Sequence, residues 1–222
     1  MTDVIIIAQN EGEHVQKILD SIDPTWLVIY VADRCTDDTI RKLDAIRKKR
    51  DNIIVIDTTG MELKGRQTST CRNLGLKFTD PTHDVLFLDG DRYCVEGSVK
   101  EAIDDCTTDT LCFPLQDDTR TKDSFRIYYG CVNCEFFSCG LFFRRYAIDK
   151  IIRWQGSLFN TELQAEWGIE DTALGDLCYH LNLTSALTDK CKLRGSFDRN
   201  NISKTARLKR FMFREPLNVK WH

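Results

Sequence analysis

"VLFLDGDRY", Val85 to Tyr93, carries four apolar residues straight into two aspartates one residue apart. An apolar run of that kind suits a strand buried on both faces of a sheet. Asp89 and Asp91 then fall where the strand leaves the sheet, and Gly90 lets the backbone turn between them. Neighbouring carboxylates repel, so the pairing needs a reason. They can share a divalent cation, act as nucleophile and acid in phosphoryl chemistry, or cap a turn, since Asp-Gly is itself a turn dipeptide.

The residues on either side set that strand in an α/β pattern. Upstream, "DVIIIA" (Asp3–Ala8) reads as a buried strand, and Val15, Ile18, Leu19 and Ile22 keep helical spacing. "WLVIYVAD" is a strand ending at Asp33. The spacing predicts a helix opening on Thr36, with Asp37 and Asp38 at the positive end of its dipole. "NIIVID" is a third strand, and Gln67 to Phe78 a helix with Cys71, Leu74, Gly75 and Phe78 on one face. Such alternation predicts a mainly parallel sheet with helices on both faces, and ligands of such sheets bind beyond the carboxyl ends of the strands. Ala8, Asp33, Asp57 and Asp89 all fall there.

Downstream the pattern is less regular. "TLCFPLQ" and "SFRIYYG" read as strands, "CGLFFRRYAIDKIIR" as a strand running into a helix, and Glu170 to Leu181 as a helix with Leu174, Leu177, Cys178 and Leu181 inward. The basic stretch "KTARLKRFMFR" reads as a last helix. With no repeat and no linker rich in Gly, Pro or Ser, residues 1–222 are expected to form one domain. It divides into a nucleotide-facing subregion over about 1–116 and a second over about 117–222.

The totals restrict the ligand. Of 222 residues, 42% are hydrophobic and 29% charged, which fits a packed core and excludes disorder. A formal charge of −3 argues against nucleic acid as a partner, and an anionic ligand would need local positive charge. Lys64, Arg66 and Arg72, in and beside a loop containing Gly60 and Gly65, are candidates for it, against the plainer reading of solvated surface cations. No stretch approaches the roughly 20 apolar residues that span a bilayer, and no basic segment leads an apolar one at the start. A soluble, cytoplasmic protein without a secretory signal is expected. The ten cysteines are scattered through core-like segments (Cys71, Cys106, Cys112, Cys178), as reduced thiols packing like small hydrophobes would be.

A second acidic group, Glu170 and Asp171, opens the late helix directly after Gly168. It is either helix-terminal charge or a carboxylate that takes a proton from a hydroxyl nucleophile. Trp167 is a core residue or a platform for a sugar ring. Asp117 with Asp118 is a solvated turn or a substrate contact. Cys131, Cys134 and Cys139 have a spacing that suggests zinc, but no partnering pair follows, so packing is the better account. The histidines, at 14, 83, 180 and 222, keep no ligand spacing. The basic tail, Lys204 to Arg214, reads as a solvated helix, a cover for the ligand site, or a peripheral contact with a membrane surface.

Taken in order, "VIIIAQNEGEHVQKILDSI", "VIYVADRCTDDT", "GRQTSTCRNLGL", "VLFLDGDRY" and "WGIEDTALGDL" resemble the motifs of family 2-like glycosyltransferases of the GT-A fold, over roughly Val4 to Leu181. The resemblance implies a metal-dependent, inverting transfer of a sugar from a nucleotide-diphosphate sugar, a UDP-sugar being expected, to an acceptor hydroxyl on a carbohydrate, lipid-linked or protein glycan. By position it implies that Asp33 recognises the base, with Ala8, Gln9 and Asn10 lining that pocket and Arg66 and Arg72 approaching the donor. Asp89, beside Gly90, would lie near the ribose or metal, Asp91 would be the principal ligand of Mn²⁺ or Mg²⁺, and Asp171 the catalytic base with Glu170 beside it. The chain departs from the pattern at Ala32-Asp33-Arg34-Cys35, where an acid is lost and a cation gained, and at Arg92. It also offers no histidine between His180 and His222 as a third metal ligand, a place left to Asp198 or another group.

The chemistry holds together without the family. A cation on Asp91 stabilises negative charge on a departing diphosphate, and a carboxylate on the sugar's opposite face deprotonates the attacking hydroxyl. Two rivals remain: a haloacid-dehalogenase-like phosphohydrolase using Asp89 and Asp91, and a module that binds nucleotide sugars without turnover.

Overall fold

The apolar runs become strands buried from both sides. In the computed structural model, which describes residues 1–62, 68–116, 140–161 and 169–195, β1 (Thr2–Ala8) is buried along its whole length. It pairs in parallel with β2 (Leu27–Ala32) on one side and β4 (Asp84–Asp89) on the other, and β3 (Ile53–Asp57) adds in parallel to β2. Ala8 lies opposite Ala32, Ala32 opposite Asp57, and Ile7 opposite Asp89. Four carboxyl ends therefore finish almost level, which brings their acidic residues to one edge.

Beyond β4 the direction reverses. β7 (Gly140–Phe143) is antiparallel to β4, β6 (Thr110–Cys112) is antiparallel to β7, and β8 (Ser185–Leu187) is parallel to β6. The sheet order is β3-β2-β1-β4-β7-β6-β8, seven strands in all. A separate two-stranded ribbon pairs β5 (Cys94–Gly97) with β9 (Cys191–Leu193) in antiparallel fashion. This mixed, mainly parallel sheet is the α/β architecture expected from the alternation.

Alternate strand residues divide between two cores. Val4, Ile6, Tyr30, Leu86 and Leu88 face the helices α1 (Val15–Asp20), α2 (Thr39–Arg47) and α4 (Val99–Asp104). Ile5, Ile7, Ile29, Val31 and Phe87 face α3 (Thr68–Leu76), α5 (Arg145–Gln155) and α6 (Ile169–His180). Each fully buried aliphatic or Phe side chain contributes about 1.5–3 kcal/mol. A one-residue slip of any central strand would exchange its two faces, which fixes the register. In α6, Leu174, Leu177, Cys178 and Leu181 are all buried, as their spacing predicts.

Several boundaries differ from expectation. α2 begins at Thr39 rather than Thr36, because the Asn10 carboxamide oxygen accepts the Thr36 and Asp37 amides (2.7 and 3.2 Å). Asp37 in turn accepts from the amide and hydroxyl of Thr39 (3.0 and 2.6 Å). α1 ends at Asp20, short of Ile22, although Ile22 is still buried. α3 ends at Leu76, so Phe78 falls beyond it and is 45% exposed instead of facing the core. β6 stops two residues before Pro114, which has no amide to donate. Cys71, Cys106, Cys112 and Cys178 are buried free thiols, as expected. "SFRIYYG", Cys131, Cys134, Cys139, Asp117, Asp118 and the basic tail lie outside the described residues. Among the described residues no helix is long and apolar enough to cross a membrane.

Candidate functional site

At the end of β2, Asp33 is 7% exposed and its backbone amide donates to the Ala8 carbonyl (2.7 Å). Both its carboxylate oxygens are engaged. Arg34 donates through Nε and Nη2 (2.9 and 3.0 Å), and the Thr58 hydroxyl adds a third bond at 3.1 Å. Arg34 reaches back onto its own neighbour because its backbone is left-handed, with φ at 50°. Asn10, also left-handed at φ 60°, joins the ends of β1 and β2: besides accepting from Thr36 and Asp37, its amide donates to the Cys35 sulfur at 3.3 Å. Gly12 completes the joint, its amide donating to Asp37 (3.0 Å) and its carbonyl accepting from Lys42 (2.9 Å). Ala8 is buried beneath this joint, while Gln9 and Asn10 are exposed.

Asp89, the last residue of β4, and Asp91 beyond it have different surroundings. Asp89 accepts a 2.8 Å bond from Nη2 of Arg72, whose side chain is 2% exposed and lies 5.2 Å from the Phe159 ring. A buried guanidinium needs a carboxylate partner to offset its desolvation, so this pair is part of the core as much as of the site. The backbone then turns, the Arg92 amide donating to the Asp89 carbonyl (3.0 Å). Gly90 is required there by proximity: a Cβ on it would lie 2.3 Å from the Ala8 Cβ. Asp91 comes out on the far side of the turn with its carboxylate 30% exposed, and Arg92 approaches it at 3.3 Å.

Glu11 lies near enough to feel the charge of Asp91. Burial first, and then the negative charges of Asp91 and Glu13, hold its carboxyl above the usual carboxylate range. Like charges in a partly buried spot are what a cation relieves, and Arg194 and Arg92 already do so in part. Asp91 and Glu11 therefore supply hard oxygen donors that suit Mg²⁺ or Mn²⁺. No group of three His, Cys, Asp or Glu side chains that could hold a metal occurs among the described residues. Phosphate oxygens and water would complete the coordination shell.

Three further residues were not singled out from sequence. Tyr93, after Asp91, has His14 at 5.9 Å between ring centroids and the Arg194 guanidinium at 5.8 Å. Arg194 also contacts His14 Nε2 at 3.3 Å, its amide donates to the Tyr93 carbonyl, and its carbonyl accepts from Arg92 (3.0 Å). Glu11 was visible in the Asn-Glu pair of the first motif. Nothing local pointed to Arg194, because the β5–β9 pairing brings it to Arg92 from 102 residues away.

Glu170 and Asp171 lie in the first turn of α6, and their side chains fall outside what is described. The topology still locates that turn. β8 runs in the direction of β4, because β4, β7 and β6 alternate and β8 is parallel to β6. α6 reaches β8 through a short connection, so it must run back along the sheet, and its 12 residues rise about 18 Å. Its first turn belongs to the edge that carries Asp33, Asp89 and Asp91. Lys64, Arg66, Asp117 and Trp167 lie outside the described residues.

No protein-family model matches the chain, and no curated protein matches it in sequence. Solved structures do. The mannosyltransferase PcManGT from Pyrobaculum calidifontis, in complex with GDP-Man and Mn²⁺, superposes with a TM-score of 0.62 at 14% identity, covering 96% of this chain and 64% of that one. The glucosyl-3-phosphoglycerate synthase of M. tuberculosis gives a TM-score of 0.59 at 17% identity, covering 92% of this chain and 77% of that one. The chain has the GT-A fold. At these identities the likeness shows the architecture alone, and the chain spans 64% of the mannosyltransferase's length. The GT-A sheet places the Asp-Gly-Asp motif on its central strand, the fourth in sequence and in sheet order. The dehalogenase-like alternative expected its motif on the first strand, so the fold gives that alternative no support.

Proposed function

We propose that the chain is a metal-dependent glycosyltransferase that moves a sugar from a nucleotide-diphosphate sugar to an acceptor hydroxyl with inversion. The observation that carries this reading is the asymmetry at the end of β4. Both side chains are 30% exposed, but Asp89 is tied to a buried arginine at 2.8 Å, whereas Asp91 is approached by its neighbour Arg92 at 3.3 Å and its charge acts on the Glu11 carboxyl. Asp91, with Glu11 as a second hard oxygen donor that feels its charge, would hold Mn²⁺ or Mg²⁺. When bound, that cation stabilises charge on the leaving diphosphate.

The chain's own groups do the rest. Arg72 holds Asp89 in place, and Lys64 and Arg66 supply positive charge to the donor. Asp33, with Ala8, Gln9 and Asn10 around it, receives the base, a uracil being the expected one, and Arg34 must share or release Asp33 for that contact. Asp171, with Glu170 beside it, takes the proton from the acceptor hydroxyl as its oxygen bonds to the anomeric carbon. The bond from that carbon to the diphosphate breaks on the opposite face, which inverts the centre. Trp167 and Asp117 would contact the acceptor, a carbohydrate, lipid-linked or protein glycan. The basic tail would supply any peripheral membrane contact.

A screen of nucleotide sugars with and without Mn²⁺, read by donor hydrolysis and thermal stabilisation, tests the reading. Binding and stabilisation that depend on metal are expected, and the proposal fails if no nucleotide diphosphate binds in its presence. Asp171→Asn should keep donor binding and lose transfer. Unchanged transfer would remove Asp171 as the base.

A further inference from the structure

Two thiol sulfurs lie 3.2 Å apart across the β5–β9 ribbon, those of Cys94 and Cys191, which are 97 residues apart in sequence. Strand pairing explains the meeting. Cys94 lies opposite Leu193, two residues from Cys191, so both cysteines share one face of the ribbon. The register also shifts between Cys94 and Glu96, and such irregularities re-aim side chains. The two positions are not equivalent. Cys94 is half-buried next to exposed Val95, while Cys191 is 1% exposed.

The thiols also differ chemically. The S–H that Cys191 donates is the largest influence drawing the Cys94 thiol down to about 7. That same bond, with burial, pushes Cys191 up. Elsewhere burial works against reactivity, raising the Cys71 thiol to about 12. The site therefore has a half-buried sulfur whose thiol is drawn down and a buried one already in contact with it, the arrangement of an attacking and a resolving cysteine.

We propose that Cys94 and Cys191 form a redox-active dithiol that a hydroperoxide closes to a disulfide. The Cys94 thiolate attacks one peroxide oxygen and the O–O bond breaks. The departing oxygen takes a proton and leaves as water (an alcohol, for an organic peroxide), and Cys94 becomes a sulfenic acid. Cys191 then attacks the Cys94 sulfur, its proton going to the sulfenic hydroxyl, which leaves as water when the S–O bond breaks. In total two thiols lose two electrons and two protons, and the peroxide is reduced. Closure needs the sulfurs to approach from 3.2 Å to about 2.05 Å. The bond would tie β5, which follows Asp91, to β9, which precedes Arg194, and so fix the Arg92–Tyr93–Arg194 contacts. It does not depend on the transfer reaction proposed above.

The test is to expose the purified full chain to graded hydrogen peroxide, alkylate the remaining thiols and digest with trypsin without reduction. Cleavage after Arg92, Lys100, Lys190 and Lys192 isolates the two cysteines on peptides 93–100 and 191–192. Those peptides should be recovered linked at lower peroxide than any other cysteine pair, and dithiothreitol should separate them. Oxidation should raise Tm by about 5 °C or more, because the link closes a loop of nearly a hundred residues. Cys94→Ser should remove the oxidant-dependent rise. Recovery of the two peptides unlinked while other cysteines oxidise, or Cys94 linked to a different cysteine, would overturn the proposal, and the unmutated protein alone suffices to see either.

Discussion

Acidic residues at the two edges of the central sheet do not all have the same surroundings. At the amino edge, Asp84 opens β4 and both its oxygens have partners, the Arg145 amide at 2.8 Å and Arg144 Nη1 at 2.9 Å. Asp3 in β1 is similar, with the Asp80 amide at 2.8 Å and His83 at 2.9 Å. At the carboxyl edge, Arg92 Nε approaches Asp91 at 3.3 Å, and burial and neighbouring negative charge hold the Glu11 carboxyl above its usual range. Carboxylates that close the fold have every oxygen engaged. At the opposite edge Asp33 is engaged in the same way, but Asp91 and Glu11 are placed at some cost to one another.

The largest effect that would sharpen this contrast is on ligand binding. Asp91→Asn should weaken metal-dependent binding of a nucleotide diphosphate by at least about 100-fold, more than loss of a supporting partner costs. The ligand-free protein should keep its stability within about 0.5 kcal/mol. Calorimetric titration and urea unfolding measure the two halves of that statement. Asp84→Ala should do the reverse: about 3 kcal/mol lost, since two hydrogen bonds go and Arg144 loses its partner, with donor affinity unchanged. If Asp91→Asn were the more destabilising of the two, the contrast would collapse.

Smaller effects come from the turn. Gly90→Ala forces a methyl against Ala8 and should cost about 1–3 kcal/mol in denaturant unfolding. An equally stable Gly90→Ala would mean that the turn is looser than described. Glu11→Gln should have the smallest effect. Because Glu11 holds its proton to higher pH when folded, its contribution favours the fold below the unfolded carboxylate range and is lost as pH rises through the folded value. Glu11→Gln should therefore raise the urea midpoint slightly at neutral pH and leave it unchanged in acid. A drop at neutral pH would show that the ionised carboxylate is favourably placed.

The parallel half of the fold could be read directly, because β1, β2 and β4 are buried on both faces and so are continuous in apolar residues. The acids at their ends followed from that reading. Helix starts were less legible: Thr36 has the chemistry of a cap, but Asn10, far off in sequence, claims its amide. The Arg34 fork on Asp33 joins adjacent residues, yet depends on a left-handed backbone that local composition does not announce. The ribbon was not foreseen at all. Strands as short as β5 and β9 have too few residues to show a period, and Arg194, just after β9, meets Arg92, Tyr93 and His14 from far along the sequence.

The joint made by Asn10, Gly12 and Asp37 has a consequence for the energetics of docking. Its backbone amides are already bonded to side chains within the protein, so those of Gly12, Thr36 and Asp37 should exchange slowly with solvent before any ligand arrives. A loop left free would have to be ordered by whatever bound there, and affinity would be reduced accordingly. This one gives up its conformational freedom when the chain folds, and a ligand meeting that edge finds it set.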